Sequence, residues 1–291
     1  MIRKLISTTS SEETLLGICH GLGSDYVLPK LSPLYHILVI QGQGEYSLDY
    51  TEYRCEGMWN ILFFSPFQSF VWMGSGDVRV LELTFHGDFY CIELHKVEVA
   101  CNGLLFNNIY LRPHIEVSRA TLFKVQGIIE SMEVEQEGSE YHLSAPVLRA
   151  YLQLILALCS KEKKKNTEQL TQCPTANHHE AGRIQDLIDE YYITERSVSY
   201  YAGCLGLSST AFSRKTQKLF RKSPSRLIKD RVILEAKKML HLTSMQIKEI
   251  AKALSFEDEF YFSRYFKREV GVSPLHYRIQ VGISEVAKKS M

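Results

Sequence analysis

The chain has 291 residues, 45% of them hydrophobic and 23% charged, with a formal net charge of +1. It is long enough for two ordinary domains with separate cores, and too apolar to remain disordered. The near-neutral total conceals an asymmetry. Residues 181–291 hold 20 Lys and Arg against 12 Asp and Glu, whereas residues 1–180 hold 14 against 21. An acidic front and a basic back is the distribution expected when one part of a chain meets phosphate.

Residues 1–6 begin like a signal peptide, but the chain turns polar at 7–13 and no apolar segment of signal length follows. The longest strongly apolar stretch, 152–159, is far too short to span a bilayer. The seven cysteines are scattered and include no CxxC pair. In a chain of this size that pattern implies reduced thiols and a cytoplasmic protein with no membrane contact.

From residue 26 to about 100 the sequence alternates short apolar runs with turn signals. Runs at 35–40, 45–50, 60–64, 70–72 and 78–85 are rich in aromatic and β-branched residues and are punctuated by glycines such as Gly42 and Gly44. They predict a small antiparallel barrel or sandwich. After Pro113 the apolar period becomes helical. Leu122, Val125, Ile128, Ile129 and Met132 form one stripe, and Val147, Leu148, Tyr151, Leu152, Ile155 and Leu158 form another, with a Gly138-Ser139 turn between them. From Ser160 to about Gly182 the periodicity is lost. The run Lys161-Glu162-Lys163-Lys164-Lys165-Asn166 reads as a solvated face within an interdomain linker, the alternative being a dedicated DNA contact. The predicted organisation is a front domain over 1–160, a linker over 161–182 and a helical domain over 183–291.

An internal repeat lies in the last third. Phe212-Ser213-Arg214 recurs as Phe262-Ser263-Arg264, and Ser223-Pro224 as Ser273-Pro274, each fifty positions later. Upstream, residues 202–207 answer to 251–256 at an offset of forty-nine, so the second copy has one more residue between turn and helix. Each copy reads as a short helix, a tight turn and a second amphipathic helix. Gly206 supplies the first turn, Ser208 or Ser209 caps the helix after it, and Asp258 is the cap in the second copy. Such a unit lays its second helix in the DNA major groove.

On these residues, and above all the ordered run from Ile247-Lys248-Glu249-Ile250-Ala251 through Phe262-Ser263-Arg264-Tyr265-Phe266 to Gly271-Val272-Ser273-Pro274, the segment of about 184–278 resembles the AraC/XylS DNA-binding domain. The resemblance implies two helix-turn-helix units joined by a long helix from Pro224 to about Leu240. Three positions depart from the family pattern: Ser255 and Arg221 stand where glycines are usual, and Thr216 where an aromatic is usual.

Carried over from the family, the base-facing positions are Thr210, Ser213 and Arg214 in the first unit and Glu259, Phe260, Tyr261 and Arg264 in the second. Arg214 and Arg264 suit a guanine edge, or else a phosphate or a surface ion pair. Glu259 suits cytosine N4 or the helix dipole, and Phe260 and Tyr261 a thymine methyl or the protein core. Ser208, Lys215, Lys218, Lys267 and Arg268 are expected on the phosphate backbone. If both recognition helices engage, they lie about 34 Å apart on one face of the duplex.

The family also implies, more loosely, a cupin-like barrel in front, giving a multidomain α+β chain. None of the ten histidines forms an HxH pair, so no metal or other cofactor is expected. Tyr46, Trp59, Phe63 and Trp72 line an effector pocket or simply fill a core. Cys91, His95 and Cys101 form a three-ligand group with metal or redox potential, or are buried thiols beside a chance histidine. The expected function is that of a non-enzymatic, homodimeric transcriptional activator. Its expected partners are double-stranded DNA, RNA polymerase and a small-molecule effector. The alternatives are a constitutive regulator without ligand and a cupin-type enzyme with a regulatory appendage.

Overall fold

The computed structural model describes residues 2–8, 14–22, 32–74, 78–90, 104–138, 141–171 and 176–282. The chain divides near Thr167 into two compact units. Among the described residues the front unit has nine strands: β1 Ile2–Thr8, β2 Thr14–Leu22, β3 Tyr35–Gln41, β4 Gly44–Leu48, β5 Thr51–Cys55, β6 Trp59–Phe64, β7 Phe70–Trp72, β8 Arg79–Phe85 and β9 His114–Glu116. They form an antiparallel six-stranded sheet in the order β1-β2-β8-β3-β6-β9 and a three-stranded sheet in the order β5-β4-β7. Helices α1 (Arg119–Gly138) and α2 (Tyr141–Thr171) follow.

The large sheet is covered on both faces, which explains why β3 is buried nearly throughout rather than at alternate positions. On one face Ile37, Val39, Ile61, Phe63 and Leu83 pack with Leu122, Val125, Ile129, Leu152 and Ile155 of the two helices. On the other, Leu38, Ile40, Leu62, Phe64 and Val80 pack with Tyr46, Leu48, Tyr53 and Phe70 of the small sheet. Gly44 allows a close approach here: a Cβ on it would collide with the Trp72 ring.

The region read as an aperiodic linker is helical through Thr171, and α3 begins at Ala176. Within the charged run, Lys163 is not solvated. It continues the Leu152, Ile155, Leu156, Cys159 stripe of α2 at helical spacing and is only 5% exposed. Its ammonium donates to the backbone oxygens of Arg112 and His114, the latter at 2.8 Å. Burial first, and the nearby Arg112 charge second, lower its pKa to about 7. Lys161, Lys164 and Lys165 are exposed, as a solvated face requires.

The second unit consists of α3 (Ala176–Tyr191), α4 (Val198–Cys204), α5 (Ser209–Phe220), α6 (Pro224–Leu242), α7 (Ile247–Ala253), α8 (Glu259–Val270) and α9 (Pro274–Val281). Helix α6 is its axis and packs against α3, α5, α7, α8 and α9. The repeated Ser-Pro pair does the same job twice. Ser223 caps α6 through Arg226 N with Pro224 in the first turn, and Ser273 caps α9 through His276 N with Pro274 in the first turn.

Candidate nucleic-acid interface

The two repeats fold into matching helix–turn–helix units, α4–α5 and α7–α8. In the first turn, Leu207 N donates to Ala202 O at 2.9 Å; in the second, Phe256 N donates to Ala251 O, also at 2.9 Å. Both alanines are buried. The turns are completed by Gly206 at φ +66 and by Ser255 at φ +53. A left-handed residue is required at both positions, and the serine adopts it against its intrinsic preference. Arg221, at φ +55, likewise ends α5 where Gly271, at φ +90, ends α8. Thr216, the third departure, is fully buried, and its hydroxyl donates to Ser213 O at 3.1 Å.

Side-chain caps fix where each second helix starts. Ser208 Oγ accepts from Ala211 N at 3.2 Å, and Asp258 Oδ1 accepts from Tyr261 N at 2.7 Å. Glu257 is the extra residue of the second copy. Behind α8, the Phe256 ring packs edge-on against Phe262 at 5.1 Å and Tyr265 at 5.2 Å. Burial pushes the Tyr265 hydroxyl up to about 12, so it remains neutral in the packed interior.

Counting from the caps, Arg214 and Arg264 both lie six residues into their helices. Both are exposed, and neither has an ion-pair partner among the described residues. Other arginines of the unit are engaged. Arg226 reaches Asp230 at 2.5 Å and Glu269 at 3.0 Å, and Arg231 reaches Asp189 at 2.7 Å and Glu235 at 2.9 Å.

Thr210 is exposed, Ser213 half-buried, and Glu259 occupies the first turn of α8. Phe260 is 75% exposed and therefore does not extend the core; Tyr261 is 47% exposed and leans on Phe256 at 5.8 Å. Lys218 and Lys267 are exposed and unpaired among the described residues. Lys215 is bonded to Glu180, which sets it apart from them. Arg268 is tethered to Glu269 at 3.2 Å and lies over the Tyr265 ring at 5.3 Å.

The four aromatics read as lining a pocket or filling a core are divided between two clusters. Strand alternation on β6 turns Trp59 and Phe63 toward the helices, while Tyr46 and Trp72 belong to the cluster between the sheets. Tyr46 is fully buried, stacked on Tyr53 and Trp72, and shares a 2.6 Å hydrogen bond with His114 Nδ1. His36, solitary in sequence, meets Glu82 at 2.6 Å. No cluster of three or more metal-binding side chains occurs among the described residues. Cys91, His95 and Cys101 lie outside them. None of the described helices is long and apolar enough to cross a membrane.

Paired helix–turn–helix units on a shared axial helix, each presenting an arginine unpaired among the described residues, define a DNA-binding transcriptional regulator. Residues 201–280 match the family model described as a helix-turn-helix domain. The chain is 25% identical to the transcriptional activator RhaR of Enterobacter sp. (strain 638) over 214 residues, 68% of this chain and 70% of that protein. It is 28% identical to the raffinose operon regulatory protein RafR of Pediococcus pentosaceus over 195 residues, 65% of each. Among solved structures, the C-terminal domain of the response regulator yesN from Fusobacterium nucleatum is 30% identical. That match covers 34% of this chain and 98% of that one, with a TM-score of 0.33. Residues 201–280 carry the helix-turn-helix domain of an AraC/XylS-type transcriptional regulator.

Proposed function

We propose that the protein is a sequence-specific transcriptional activator that reads two adjacent major-groove segments with α5 and α8. The observation that carries this reading is the exposed, unpaired arginine at the same helical position in both units. A guanidinium left without a protein partner is available to bond guanine O6 and N7 together. Thr210 and Ser213 accompany Arg214; Glu259, Phe260 and Tyr261 accompany Arg264. Lys218 and Lys267 serve the phosphates, with Ser208 and Arg268 beside them, and Lys215 joins them if it leaves Glu180. The relatives named as activators support activation over repression.

The front unit, a cupin-like barrel in this reading, supplies dimerisation and sensing, and RNA polymerase is the partner on DNA. The dense packing around Tyr46 supports a second reading, in which the front unit only dimerises and no effector binds. A ligand-dependent rise in thermal midpoint would separate the two readings.

The test of the DNA reading is Arg264→Ala against a panel of single-base variants of a selected site. A loss of about 1–3 kcal/mol confined to one base position is expected. An equal loss on every sequence would reassign Arg264 to a phosphate.

A further inference from the structure

The two recognition helices must present their ends at a fixed angle and separation to fit one duplex. Helix α6 joins them, but a second connection bypasses it. Arg196 lies in the segment just ahead of α4, where the Tyr201 hydroxyl pins the neighbouring Glu195 backbone oxygen at 2.7 Å. Its own side chain reaches the second unit. The guanidinium carbon sits 3.9 Å from the centre of the Phe256 ring, and Nη2 donates to Leu254 O. Leu254 ends α7, Ser255 is the left-handed residue of the turn, and Phe256 backs the first turns of α8. Arg196 therefore grips the backbone and the aromatic residue on either side of the strained turn that aims α8.

We propose that Arg196 is a positioning residue for DNA reading: it straps the segment ahead of α4 to the turn ahead of α8 and so sets how the second recognition helix is held relative to the first. This inference rests on the two-helix reading above. A planar guanidinium suits the task because it can lie flat on a ring and still donate from its edge, whereas an ammonium cannot do both at once. The residue touches neither base nor phosphate in this scheme, so its signature is geometric. It governs tolerance to the spacing between the two half-sites rather than preference for any one base.

The experiment uses the full chain and the duplex most enriched by the wild-type protein from a random pool, together with versions carrying one base pair inserted or deleted between the two half-sites. The wild type is expected to lose about tenfold or more in affinity on either change. Arg196→Met keeps the aliphatic stem and is expected to retain the helical circular dichroism. It should bind the original duplex about tenfold more weakly, and its spacing penalty should fall below about threefold, because α8 is no longer held in register. Arg196→Lys is expected to behave like the methionine variant. A variant that binds more weakly but keeps the full spacing penalty would overturn the proposal, and so would a lysine variant indistinguishable from wild type. If the wild type selects no duplex at all, the two-helix reading falls and this inference with it. A selected site with an unaltered penalty in the variants overturns this inference alone.

Discussion

Replacing Lys163 by methionine should remove a pH dependence from the stability of the front unit. In the fold, Lys163 is 5% exposed, with backbone oxygens as its hydrogen-bond acceptors, and its pKa falls from 10.5 to about 7. Between those two values the unfolded chain binds a proton that the folded chain releases, so wild-type stability rises with pH across the window. Below about pH 7 both states hold the proton, and the folded state bears the full cost of a buried cation. At about 1.4 kcal/mol per pH unit, the contribution between pH 7.5 and 9.5 is at most about 3 kcal/mol. At neutral pH the methionine variant escapes that cost but leaves two backbone oxygens without their donor, at about 1–3 kcal/mol each, so the two effects nearly offset. At pH 9.5 most of that cost is gone, about one pH unit's worth remains, and the loss of the donor dominates. Both tryptophans, Trp59 and Trp72, lie in the front unit, so urea unfolding followed by tryptophan fluorescence reports on it directly. The expected result is a variant that loses stability relative to wild type, progressively, as pH rises from 7.5 to 9.5. A difference that stays flat across this range would refute the reasoning.

Ser255→Gly and Arg221→Gly each relieve a left-handed residue and should stabilise the helical unit by about 0.5 kcal/mol, measured by thermal melting of the full chain. A destabilisation would mean that the side chain contributes more than its backbone costs. Asp258→Ala removes the cap of α8 and should cost about 1 kcal/mol of stability together with some DNA affinity. Lys218→Gln and Lys267→Gln should each weaken DNA binding uniformly across sequences and lower the slope of log affinity against log salt by about 1. A slope unchanged from wild type would remove that lysine from the phosphate contacts.

The parts of the fold legible in sequence were those with a strong local period or a repeat. The runs at 35–40, 60–64 and 78–85 became β3, β6 and β8, and the two helix–turn–helix units came from matching residues fifty apart. Strands β1 and β2, ahead of the first expected run, were missed. So were the short strands β5 and β9. Each owes its extended state to a neighbour it pairs with, β4 and β6 respectively, rather than to its own composition. The charged run misled for a related reason. Three of its lysines are solvated, and the fourth is buried because α2 carries its apolar stripe that far.

The division of Tyr46 and Trp72 from Trp59 and Phe63 was not legible, because residue type marks burial without saying on which face of a strand a ring falls. Arg196 carries no local signal, since its partners lie about sixty residues downstream. The glycine substitutions at 221 and 255 were visible, but only backbone geometry shows that the turns persist with other residues in them.

The most direct test of the central claim is a random-pool selection with the full-length protein, followed by guanine N7 methylation interference on the enriched duplex. The account predicts a bipartite site, with a critical guanine in each half and the halves about 10–10.5 base pairs apart on one face of the helix. A site with a single protected half, or a protein that enriches no sequence, would contradict it.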